Sequence, residues 1–174
     1  MEGTAINPTF PHRPQRAIVT ASAVVAVSLL HASPSLAQDQ ATVRAGLEVW
    51  RSSGCPDCHG PFADGERDDD DDPMGANLRT TRLDAAGIKV TISCGRPGTG
   101  MPSFDRGAYT DRACYGRPFG ERPDNLQPTP RLLNPDEIDA LIAYLRASII
   151  GHGKVTHEEC LSYYEGKADC DDFK

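Results

Sequence analysis

At 174 residues with six cysteines and a net charge of −7, the chain has room for one packed domain and some appended segments. The acidic balance disfavours nucleic acid and anionic lipid as partners and favours a protein with a basic docking face. No Ser/His/Asp, paired-carboxylate or phosphate-loop pattern stands out, so nothing in the spacing argues for an enzyme.

Arg13 and Arg16 precede an apolar run over residues 17–30, and Ser35-Leu36-Ala37 offers small residues at −3 and −1 of a cleavage site. The run is shorter than the roughly 20 residues that span a bilayer. The expectation is a signal peptide over residues 1–37 and export to the periplasm, an uncleaved anchor being the alternative. No cysteine lies near the cleavage point to carry a lipid, since Cys55 is the first in the chain. Cleavage removes Arg13, Arg16 and Glu2, so the charge moves from −7 to −8.

Residues 42–51 predict a short helix with Val43, Leu47 and Trp50 on one face, and Gly54 ends it. Next comes Cys55-Pro56-Asp57-Cys58-His59, a C-x-x-C-H motif. Two thiols three positions apart and an adjacent imidazole suit covalent attachment of haem c. Cys55 and Cys58 would form thioethers to the vinyl groups, and His59 would be the proximal iron ligand. A zinc knuckle needs a second C-x-x-C pair, which the chain lacks, and a thioredoxin-like motif needs a strand leading into it rather than a helix.

With this motif the chain resembles the class I cytochrome c family over residues 41–149. In that family the N-terminal helix crosses the C-terminal helix at a small residue, and Gly46 with Trp50 resembles the crossing. Residues 60–65 are rich in turn formers, and the acidic run at 68–72 reads as a solvated loop. A calcium site there is the sharper alternative, but no glycine falls where an EF-hand loop needs it. Leu78 is a candidate contact to a haem edge, and Arg79 and Arg82 could meet the propionates or the acidic run. Residues 83–93 predict another helix, with Ile88 and Ile92 on one face.

Gly98-Thr99-Gly100-Met101-Pro102 is similar to the distal loop of class I cytochromes, in which glycines let the backbone approach the porphyrin. Met101 is therefore expected as the second axial ligand. Met74 is a rival without that context, and His152 and His157 are rivals only in residue type. Residues 106–131 are polar and proline-rich, without helical periodicity, and predict an extended wrap over the surface. This distal insertion departs from the minimal family pattern.

Asn134-Pro135-Asp136-Glu137 is a helix start, and Ile138, Leu141, Ile142, Leu145 and Ile149 form one stripe running to about residue 149. Thr156 and Glu159 open a further short helix within an appendix at 151–174. With two cysteines assigned to haem, Cys94, Cys114, Cys160 and Cys170 suit two disulfides in an oxidising compartment, with three possible pairings. The nearest-neighbour hypothesis joins Cys94 to Cys114, around Met101, and Cys160 to Cys170.

The sequence thus leads to an all-α class I cytochrome c domain over residues 38–150 around one covalent haem c, with the distal insertion and a stapled appendix. The expected function is that of a periplasmic single-electron carrier rather than an enzyme, exchanging electrons with redox proteins. The appendix resembles that of exported proteobacterial cytochromes, some of which serve quinoprotein alcohol dehydrogenases, but this does not select the donor, nor the terminal oxidase or cytochrome that would accept. A fixed subunit of a dehydrogenase or oxidase is the alternative, and a haem enzyme or gas sensor the more distant one.

Overall fold

The computed structural model describes residues 3, 34–67 and 73–174. The apolar run at 17–30 and the acidic run at 68–72, with its calcium alternative, lie outside the described residues. Among the described residues the fold is all-α, with five α-helices joined by long irregular segments and no β-strand. Two isolated bridges, Asp105 with Leu133 and Ala108 with Arg112, are the only sheet-like pairings described.

Helix α1 spans Pro34–Ser52 and starts well before the expected residue 42. Its face carries Val49 and Trp50 into the core, with Val43 and Leu47 packed at the margin. Helix α4, Pro135–Tyr144, is its main partner. The two cross at Gly46, where the absence of a side chain lets the backbones meet. Asn134 caps α4 as expected: its side chain accepts from the Glu137 amide at 2.9 Å, and the Glu137 carboxylate accepts from the Asn134 amide at 2.9 Å. Arg131 joins the two helix ends by donating to Ser52 and Ser53 and pairing with Glu137.

The expected continuation of α4 to residue 149 is present but changes character. Leu145–Ile149 forms a π-helical turn, closed where the Ile150 amide donates to the Leu145 carbonyl at 2.8 Å. Leu145 and Ile149 remain buried, so the apolar stripe survives the change of winding. Helix α3, Ala85–Cys94, begins two residues later than its periodicity suggests because Asp84 caps it, accepting from the Gly87 amide at 2.8 Å. Ile88 and Ile92 point into the same core as Phe104, Ile138 and Leu141.

The proline-rich segment has no helix, as expected, but it does more than wrap the surface. Ala108, Tyr109, Cys114 and Leu126 form a second small core against Cys94, sealed by a Cys94–Cys114 disulfide. The appendix carries α5, His157–Tyr163, with the expected Thr156/Glu159 capping box, and a Cys160–Cys170 disulfide. Its core gathers Phe62, Cys160 and Cys170, with the Phe62 ring held edge-on by Tyr163, Tyr164 and Phe173. No described helix is long and apolar enough to cross a membrane.

Candidate functional site

Gly54 ends α1 with a left-handed backbone (φ 72°), and helix α2, Cys55–His59, follows at once. This single turn, with Pro56 near its start, sets Cys55, Cys58 and His59 at positions i, i+3 and i+4, hence on one side. A strap at residues 73–78 lies across α2. The Gly75 amide donates to the Cys58 carbonyl at 2.7 Å, and a Cβ on Gly75 would sit 2.7 Å from His59 Nδ1.

His59 Nδ1 lies 2.8 Å from the Ala76 carbonyl oxygen. A carbonyl only accepts, so Nδ1 carries the proton and Nε2 keeps its lone pair for a ligand. Burial holds the His59 pKa below its ordinary value and so favours the neutral ring, against the pull of the Ala76 carbonyl. The Trp50 ring backs the imidazole, with centroids 6.2 Å apart, and is fixed by its indole N–H donating to the Pro61 carbonyl at 3.3 Å.

These groups line one wall of a cleft of about 770 Å³, mouth included. Met101, Pro102 and Phe104 line it from the other segment, and Leu78, Ile92, Leu141 and Leu145 supply apolar lining. Met101 stands in a loop closed on itself, since the Arg96 amide donates to the Met101 carbonyl at 3.0 Å and Thr99 Oγ1 accepts from the Met101 amide at 3.2 Å. The strap packs against this loop too: a Cβ on Gly100 would fall 2.8 Å from the Pro73 ring. All four expected residues, Cys55, Cys58, His59 and Met101, thus come together.

The donor set of two thiols, an imidazole and a thioether around a mostly apolar cleft fits a covalently attached haem. The rival chemistries fit less well. Burial first, then the Asp57 charge, pushes the Cys55 thiol up to about 12, far from the low-pKa thiolate of a redox C-x-x-C. Among the described residues no three His, Cys, Asp or Glu side chains converge as a metal site. The two disulfides take the other four cysteines and leave Cys55 and Cys58 out of the pairing.

Several expectations are refined. Arg79 does not face the cleft: it is 3% exposed and turned to the appendix, with its guanidinium on Glu159 at 2.9 Å and on the carbonyls of Phe62, Gly153 and Lys154. Five N–H donors need several buried acceptors, and the appendix supplies all of those named but the Phe62 carbonyl. Arg82 is exposed. Met74 does line the cleft, but 80% exposed, whereas Met101 is half-buried and packs on the core. His152 and His157 do not line it. Sequence reading did not place residues 73–76 of the strap against α2, for which Pro73 and Gly75 were the only local signals, nor the charged residue Arg96 in the lining.

Comparison with protein families, curated proteins and solved structures finds no match to this chain.

Proposed function

We propose that the chain is an exported single-haem cytochrome c of class I type that carries electrons one at a time, with Cys55 and Cys58 as attachment points and His59 and Met101 as axial ligands. One observation carries this reading: His59, its Nδ1 proton committed to Ala76, and Met101 line the same apolar cleft as both thiols. Haem, when bound, supplies a one-electron iron couple that thioether ligation and burial shift toward high potential.

The chain's own residues do the remaining work. Ala76 fixes the imidazole tautomer, and Trp50 and the Gly75 strap restrict its rotation. The apolar lining excludes water, and Pro102 confines Met101 to extended backbone. Two disulfides, together with the signal-like N-terminus, support an oxidising compartment such as the periplasm. The net negative charge makes redox proteins with basic docking faces the complementary donor and acceptor.

The test is expression with a haem-attachment system, followed by intact mass and absorbance spectroscopy. One covalently bound haem and a six-coordinate spectrum in both oxidation states are expected. Protein that retains two alkylatable thiols at Cys55 and Cys58 overturns the reading. A five-coordinate ferrous spectrum would instead point to a haem enzyme or gas sensor.

A further inference from the structure

The loop that carries Met101 holds few side chains able to anchor it. Between Gly95 and Pro102 it contains Gly98 and Gly100, and its internal bonds are the Arg96–Met101 closure and short turns through Thr99. A loop of this kind pivots at its ends unless these are held from outside.

Its first end is held by the proline-rich segment at three adjacent points. The Cys94 side chain is bridged to Cys114. The Tyr109 hydroxyl donates to the Cys94 carbonyl at 3.0 Å, and the Tyr115 hydroxyl donates to the Gly95 carbonyl at 2.7 Å. These carbonyls lie at the C-terminal end of α3, where the helix leaves its last acceptors without intrahelical donors. Water could satisfy them, but water would not tie them to a second segment.

The tyrosines are held in an unusual way. Both have left-handed backbones, Tyr109 at φ 66° and Tyr115 at φ 54°, which bulky residues rarely adopt. Such outliers persist where surrounding structure over-determines them. For Tyr109 that structure is visible: its amide donates to the Arg112 carbonyl and its carbonyl accepts from the Gly120 amide. Burial explains the placement of Tyr109, which is 1% exposed, but not that of Tyr115, which is 53% exposed. What Tyr115 gains is the bond to Gly95.

We infer that Tyr109 and Tyr115 are positioning residues for Met101, acting through the hinge carbonyls of Cys94 and Gly95 to keep the thioether facing the cleft. This inference rests on the haem reading for its consequence, though the clamp is a property of the chain. The proline-rich segment is then a buttress of the ligand loop rather than a covering.

The experiment compares holoprotein with Tyr115→Phe, Tyr109→Phe and the double variant, each of which removes only a hydroxyl. Two readouts are taken: the rate at which added imidazole displaces the thioether from ferric haem, and amide hydrogen exchange. Each hydroxyl lost should speed displacement about fivefold, the scale of one hydrogen bond. The Arg96 and Met101 amides should exchange faster while the Leu141 amide in α4 is unchanged. Unchanged displacement and exchange in Tyr115→Phe overturn the inference, as does faster exchange at Leu141 to the same degree, which marks general destabilisation. Tyr115→Phe carries the test alone if Tyr109→Phe does not fold. Should the parent protein lack covalent haem, the haem reading fails, and exchange at Arg96 by itself decides the clamp.

Discussion

Gly46 of α1 lies so close to Ala140 of α4 that a Cβ added to it would fall 2.0 Å from the Ala140 carbonyl oxygen and 2.7 Å from Tyr144 Cβ. The neighbouring atoms include backbone, so the overlap is not relieved by rotating a side chain. Gly46→Ala should therefore destabilise the protein by about 1–3 kcal/mol, despite the better helix propensity of alanine. Denaturant unfolding measures this. An unchanged or raised midpoint would mean that the helices part without cost.

The appendix is secured by a buried charge pair, Arg79 with Glu159, whose side chains are 2% and 27% exposed. Burial opposes the charge on Glu159, but the hydrogen bonds from Arg79 and the Thr156 amide, with the Arg79 charge, outweigh it and hold its pKa below the usual carboxylate range. A carboxylate depressed in the folded state adds stability above its unfolded pKa, near 4.5, and that contribution is lost as pH falls through the folded value. Glu159→Gln should thus unfold with a weaker pH dependence below about pH 4.5 than the parent. Arg79→Met should cost more, about 3–5 kcal/mol, because Glu159 and three backbone carbonyls lose their donor. Equal acid sensitivity in parent and Glu159→Gln would remove Glu159 from the account.

The second staple makes a separate prediction. Cys160–Cys170 closes a loop 10 residues apart around an aromatic cluster. Replacing both with alanine should cost about 2–3 kcal/mol in the chain-entropy account, and the loss should be confined to the appendix. Limited proteolysis should show new cleavage after residue 153 while the α1–α4 pair stays protected. Cleavage spread evenly over the chain would show instead that the appendix and main core unfold together.

Much of the candidate site's geometry was legible because it depends on local spacing. The C-x-x-C-H turn places three donors on one side of α2 by helix geometry alone, and Asn134 with Glu137 is a helix start that needs no tertiary context. Other features depend on neighbours that the sequence does not bring together. Arg79 reads equally well as a surface cation or a buried one until Glu159, 80 residues later, is found beside it. The second core around Tyr109 and Leu126 has no period, because a segment without helix or strand imposes none. The π-helical turn at Leu145–Ile149 follows a stripe that fits an ordinary α-helix, so nothing in the period announces its i→i+5 bonding.

Met101 makes the sharpest functional prediction, because a second methionine lines the same cleft and acts as an internal control. Met101 is half-buried on the core, whereas Met74 is 80% exposed in the strap. Thioether ligation raises the potential by favouring ferrous iron, and axial ligands as a class move haem potentials over roughly 0.8 V. On the proposed haem reading, Met101→Ala should keep haem covalently attached, since Cys55, Cys58 and His59 are untouched. It should also lower the potential, by a fraction of that range, and abolish the near-infrared band of thioether-bound ferric haem. Met74→Ala should leave both unchanged. Redox titration of the two variants beside the parent decides the matter: if Met74→Ala shows the shift instead, the strap supplies the ligand. If neither variant shifts, the iron has no thioether ligand, and the high-potential carrier proposed here is wrong.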